Sequence, residues 1–184
     1  FYLALDRYEH GAAFVTGPYS LYQEVKERCA LFWGLVGHTM LRDEGRAFLQ
    51  AGGRLEEGDM VLRMLRVAVP AQPWRGGYEG DALALLHAVG GLQAYRRSVG
   101  DTPTVEAVVR FLLYEDAYPG SVASSVQALC EALETADLQP RSAPPVLRLG
   151  RLIADMELQR RSPPGGLHKT LIGVQGELER VDRD

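Results

Sequence analysis

Apolar residues recur at helical spacing along this chain, in segments cut apart by proline and glycine, and no stretch sustains an alternation of apolar and polar residues. Strands need that alternation, or a short continuous apolar run bounded by turn residues. The most strand-like segment, Val61 to Val69, is rich in valine but keeps helical spacing at Leu62, Leu65 and Arg66. A chain that offers only helices must bury one stripe of each against another. The expected fold is therefore an all-α helical bundle of about seven or eight helices with no sheet.

The punctuation divides the chain. Phe1 to Glu9 reads as the last turns of a helix ended by Gly11. Pro18 and a capping box, Ser20-x-x-Gln23, start the next, with Leu21, Val25, Cys29, Phe32 and Val36 on one face. A long helix over about Leu41 to Val69 follows, weakened at Gly52-Gly53 by roughly 1 kcal/mol per glycine. Pro70, Pro73 and Gly76-Gly77 form the longest internal break and suggest sub-layers over 1–69 and 78–184. Within that break Trp74, flanked by Pro73 and Arg75, is an anchor packed over the loop or a contact for a partner.

Downstream, a helix is expected over about Gly80 to Arg97, punctuated by Gly100. Thr102-Pro103 supplies a cap and a first-turn proline for a helix through Tyr114. Pro119 and Ser121 start one that runs through Thr135, with Ser121 as its cap. Pro140, Pro144 and Pro145 precede Val146 to Arg161, and Pro163-Pro164-Gly165-Gly166 precede Leu167 to about Val181.

Charge narrows the function. Lys and Arg number 20 against 24 Asp and Glu, a net −4, and the arginines are scattered, so no dense basic patch suits a nucleic acid. The pairs Arg96-Arg97 and Arg160-Arg161 fall at helix ends, where cations meet terminal carbonyls. No run reaches the length of a membrane span. Cys29 and Cys130 make neither a disulfide framework nor a zinc site, and both read as small buried side chains in a reducing, cytoplasmic setting. His10, His38, His87 and His168 never stand one helical turn from another His or Cys, so no metal site is expected. His38 falls in the turn before the long helix, as a cap or loop residue.

The long helix carries the unusual chemistry. Projected at about 100° per residue, Leu41, Phe48, Leu55 and Leu62 define an apolar stripe, with Ala51 and Gly52 beside it. Asp43, Gln50, Arg54 and Glu57 take the solvated face. Asp59 projects into the stripe, with Arg63 and Glu56 at its margin. A carboxylate on a packing face is costly unless paired, and Arg63 at i,i+4 can pair with it. Two readings stay open: a salt-bridge network tying helices together, or a polar pocket with perturbed carboxylates, Glu56 and Asp59, able to act as general acid and base. The Glu-x-x-His pattern of di-iron bundles is missing, which does not favour a metal.

These residues carry a family resemblance. Cys29-Ala30-Leu31-Phe32-Trp33-Gly34, Thr39-Met40, Arg42-Asp43-Glu44-Gly45, Phe48-Leu49, Gly53-Arg54-Leu55-Glu56, Asp59-Met60, Arg63 and Leu65 together resemble the alpha-E domain family of bacterial helical proteins. Its Glu-Arg-Ala-Asp motif reads here Glu56-Glu57-Gly58-Asp59, so Glu57 stands where the family has arginine. A second stretch, Phe111-Leu112-Leu113-Tyr114-Glu115 with Pro119 and Ser121-Val122, resembles a segment ending in Asn-Pro-x-Ser; Tyr118 replaces the asparagine and Glu115 the aspartate. The likeness spans nearly the whole chain. It implies one domain over 1–184 that forms the later portion of a larger unit, whose N-terminal portion would pack against these helices.

The resemblance also implies a setting. Alpha-E proteins accompany circularly permuted ATP-grasp ligases and transglutaminase-like proteins. That makes the expected role a helical partner subunit of an ATP-grasp-type amide ligase in peptide synthesis or modification, contributing substrate or partner binding. Neither G-x-x-x-x-G-K-[ST] nor G-x-G-x-x-G occurs, so the chain is expected to hold no cofactor of its own; ATP and Mg would sit on the partner ligase. Glu56 and Asp59 are the catalytic candidates. Arg63, Arg42, Arg46 and Trp74 are the candidates for binding substrate or partner. A stand-alone enzyme using Glu56 and Asp59, and a non-catalytic scaffold, remain the alternatives.

Overall fold

A computed structural model describes residues 19–69, 79–136, 144–161 and 166–183. Eight helices occupy these residues: α1 Tyr19–Thr39, α2 Glu44–Ala68, α3 Glu79–Ala88, α4 Leu92–Ser98, α5 Val105–Tyr114, α6 Val122–Ala136, α7 Pro144–Arg161 and α8 Leu167–Arg183. No strand occurs among the described residues, so the fold is all-α. The chain divides into two compact units at the Arg42/Asp43 junction. The expected helix over Phe1 to Glu9, the break at 70–77 with Trp74, Pro140 and Pro163-Pro164 lie outside the described residues.

In the first unit, α1 departs from expectation. Ser20 lies inside the helix, and the Gln23 amide donates to Glu27 Oε1 at 3.0 Å instead of reaching back to close a box with Ser20. Of its expected packing face only Val36 is buried; Leu21 and Val25 are half-buried, and Phe32 and Cys29 are exposed. Phe32 and Trp33 meet edge to face, with centroids 5.3 Å apart. Cys29 is thus not the buried thiol expected of it.

The second unit holds the core. α2 packs chiefly against α6 and also against α8, α6 and α8 both pack on α7, and α3 packs on α5. Leu62, Leu65, Leu86, Val108, Leu112, Leu149 and Leu171 are fully buried at the centre, each stabilising by about 1.5–3 kcal/mol. α2 starts at Glu44 rather than Leu41, because Asp43 in extended conformation caps it, accepting from the Arg46 backbone N–H at 3.1 Å. Its buried face is Ala47, Ala51, Gly58, Val61, Leu62 and Leu65, while Leu41, Phe48 and Gly52 of the expected stripe are exposed. The rotation has a steric cause. Gly58 lets α6 and α8 approach until a Cβ there would stand 3.4 Å from Ser125 Cβ and 3.6 Å from Leu178 Cδ1. Small residues, not the seven-residue leucine spacing, choose the face.

Other boundaries move for local reasons. The helix expected over Gly80 to Arg97 is two, α3 and α4, parted at Gly90, whose φ of 67° is left-handed, and Gly91. The cap of α5 is Thr104, accepting from Ala107 N–H at 3.2 Å, so Pro103 lies before the helix and Thr102 does not cap it. Pro144 and Pro145 enter the first turn of α7, where missing N–H groups leave nothing unsatisfied. Arg96-Arg97 and Arg160-Arg161 do fall in last turns. Arg110 supplies a further cation at the end of α7, donating to the Arg160 carbonyl at 2.9 Å.

Candidate functional site

The sequence singled out Asp59, and the structure places it at the joint between α2 and α8. Its side chain is only 17% exposed, and Oδ2 lies 2.6 Å from Arg63 Nε. Oδ1 accepts from Gln175 Nε2 at 3.2 Å. Gln175 is buried and completes a chain, its Oε1 accepting from Arg66 Nη1 at 2.6 Å. Asp59 and Gln175, the least exposed members, are each bonded at both of their polar side-chain atoms, the condition under which a polar group in a packed joint does not destabilise it. The bonds to charged groups are the stronger kind. One turn beyond Arg66, Val69 O lies 2.9 Å from His168 Nδ1 on α8 and accepts from it. α8 therefore grips α2 at three successive levels.

Glu56 does not join this cluster. It is exposed and has no partner among the described residues. The two carboxylates expected to share a pocket part company, Asp59 committed to α8 and Glu56 left in water. Arg63 is itself 67% exposed, so the candidates that share an open face are Glu56 and Arg63. Arg46 opens α2 beside its cap, Arg42 is an exposed residue of the first unit, and Trp74 lies outside the described residues. Arg54 and Glu57, expected on the solvated face, are half-buried and paired at 2.7 Å.

A second polar contact ties the α3–α4 turn to the α5–α6 corner. Tyr118 stacks on Phe111 with centroids 5.2 Å apart, and Phe111 meets Tyr95 edge to face at 5.3 Å. The Tyr118 hydroxyl donates to Val89 O at 2.7 Å. A Cβ on Gly120 would lie 2.8 Å from its ring carbon Cζ, and one on Gly91 3.2 Å from its hydroxyl. Burial pushes the Tyr118 phenol up, and the nearby Glu57 carboxylate pushes it further. Glu57 and Tyr118, two of the positions where this sequence departs from the resemblance, are thus close enough to influence one another.

At the same corner Glu115 accepts from Ser98 Oγ at 2.7 Å and from Ala117 N–H at 3.3 Å. Ser121 is buried and caps α6, accepting from Ser124 N–H at 3.0 Å. His38 is an exposed residue in the last turn of α1. Burial raises the Cys130 thiol, with Glu134 and Glu131 adding to it, which keeps that thiol protonated and unreactive.

Sequence reasoning missed Gly58, Arg66, His168 and Gln175. Gln175 had a signal: it interrupts the apolar stripe Leu171, Val174, Leu178, Val181 of α8, as Asp59 interrupts that of α2. Two polar residues on two packing faces are the mark of a cross-helix pair. No group of His, Cys, Asp and Glu able to hold a metal ion occurs among the described residues, and no helix among them is long and apolar enough to cross a membrane. A groove of about 520 Å³ between α7 and α8 is rimmed by Arg148, Arg151, Asp155, Glu177 and Arg180 and includes neither Asp59 nor Gln175.

One family model, that of a predicted alpha-helical domain with a conserved ER motif, matches residues 1–184. Glu-Arg pairs stand in this chain at Glu27-Arg28 and Glu179-Arg180, while the segment Glu56-Glu57 has glutamate in the second place. No curated protein and no solved structure matches the chain.

Proposed function

The chain belongs to the Alpha-E family, and on that premise we propose that it is a non-catalytic helical partner of an ATP-grasp-type amide ligase acting on peptides. ATP and its Mg belong to the ligase in this reading, and the chain contributes binding. The observation that carries the non-catalytic part is the commitment of Asp59, whose two oxygens are already held by Arg63 and Gln175. A general base needs a lone pair free to meet substrate. Glu56 stands exposed in water, with no enclosing pocket among the described residues to hold a substrate against it.

Binding then falls to open surfaces. In the first unit Leu31, Phe32, Trp33 and Leu35 are exposed along α1, an apolar surface suited to the ligase. Glu56 and Arg63 act as binding residues, Arg42 and Arg46 meet carboxylate or phosphate groups of substrate or ligase, and Trp74 serves as a contact for the partner. The test is co-purification of the full chain with its ligase. A complex at micromolar concentration is expected, with ligase turnover retained in a Glu56→Gln complex. Failure to form a complex sinks the docking reading, and turnover abolished in a Glu56→Gln complex that still forms, at saturating substrate, sinks the non-catalytic one.

A further inference from the structure

α2 turns a second face away from the core. Gly52, Glu56, Met60, Arg63 and Val67 recur at helical spacing along one stripe and all are exposed, Met60 at 56% and Val67 at 87%. Two large apolar side chains standing in water, with an acid and an arginine set among them, compose an interface rather than a solvated face. We propose that this stripe docks a second copy of the chain, α2 packing antiparallel on α2 about a two-fold axis. The proposal rests on reading Glu56 and Arg63 as binding residues and names what they bind.

The order of the side chains identifies the occupant. Along the stripe they run small, acidic, apolar, basic, large. An antiparallel copy presents the same order reversed, so with the axis between Asp59 and Met60 each residue meets its complement. Glu56 faces the partner's Arg63, and Arg63 faces the partner's Glu56. The two positions are seven residues apart, about 10.5 Å along the helix, so both pairs form at once on either side of the methionines. Gly52 faces the partner's Val67, and the space there is open, since a Cβ on Gly52 would meet nothing within 4 Å. A parallel copy would instead set Glu56 against itself. The contact is isologous and closes on a dimer.

The polar joint beneath the stripe prepares it. Asp59 Oδ2 holds Arg63 through Nε, and Gln175 holds Asp59 in turn. The Arg63 Nη groups have no partner among the described residues. A guanidinium fixed in this way loses less freedom when it meets a carboxylate. Asp59 thus acts as a positioning residue for the contact.

Sedimentation of the full chain over a range of concentrations tests the proposal. The expected result is a reversible monomer–dimer equilibrium, weakened by salt. Glu56→Arg and Arg63→Glu, taken singly, set like charges together twice per dimer and should weaken association at least about tenfold. An equimolar mixture of the two variants should dimerise again, because each supplies the charge the other lacks. Met60→Glu, which leaves the Asp59–Arg63 pair intact, should also give monomer, with helicity unchanged by circular dichroism.

A wild-type chain that stays monomeric at high micromolar concentration overturns the proposal. So does a dimer indifferent to both reversals, or a mixture that fails to recover. Ligase binding is read separately. A dimer that binds no ligase refutes the proposed function alone, and a monomer that binds ligase refutes the dimer alone.

Discussion

Single residues decide how α2 meets its neighbours. Asp59 is a carboxylate at a packed joint, and its removal leaves the Gln175 amide and the Arg63 guanidinium without their acceptor. Asp59→Ala should cost about 1–3 kcal/mol, read as a lower urea midpoint. An unchanged midpoint would mean that solvent already satisfies these groups. Tyr118 sets a different limit. Burial first, and Glu57 second, disfavour its phenolate, so its folded pKa lies above the unfolded value of about 10. That contribution is whole below about pH 10 and is lost as pH rises through the folded value, because the unfolded phenol ionises first. Tyr95 and Tyr114 are raised mainly by burial and act in the same direction. Stability should therefore fall above about pH 10. Tyr118→Phe should lose about 1 kcal/mol at neutral pH with its bond to Val89, yet show a shallower alkaline decline. A decline as steep as wild type would assign the effect to the other two tyrosines. Asp59 was legible from its place in an apolar stripe; Gly58 was not, because a glycine in a helix reads as a weakness until the helices that press on it are known.

Elements were legible where a cap or a breaker marks them. Ser121 follows Pro119 and caps α6 in the structure as the sequence expects; Asp43, expected on the solvated face of a helix begun at Leu41, caps α2 instead. Ser121→Ala and Asp43→Ala should each cost about 1 kcal/mol. Thermal melts of the two variants check this, and a shift confined to Ser121 would show that the exposed start of α2 is frayed in solution. Elements were misread where several residues compete for one role. Thr102 and Thr104 both precede α5, and the backbone at Thr104 takes the extended conformation a cap requires, with φ −98° and ψ 154°. Gly80 to Arg97 carries one apolar period throughout, so only the left-handed turn at Gly90 shows two helices. α1 has an amphipathic pattern, yet of that face only Val36 is buried.

At the scale of the whole molecule, the connected apolar core of the described residues runs from Ala51 to Val181, within the second unit. Residues 43–184 alone should therefore fold cooperatively, with a urea midpoint close to that of the full chain. A broad, non-cooperative transition would show that the core depends on residues before Asp43. The sequence by itself determined the all-α class and the family, because these rest on local periodicity, on proline and glycine, and on spaced motifs read along one chain. It also marked Asp59 as a polar residue out of place. Only the tertiary structure decided which face of α2 is buried, that Gln175 answers Asp59, and that Glu56 is left in water beside an exposed Arg63. Those outcomes depend on residues more than a hundred positions apart and on how closely two backbones approach at Gly58, and no single-helix pattern contains either quantity.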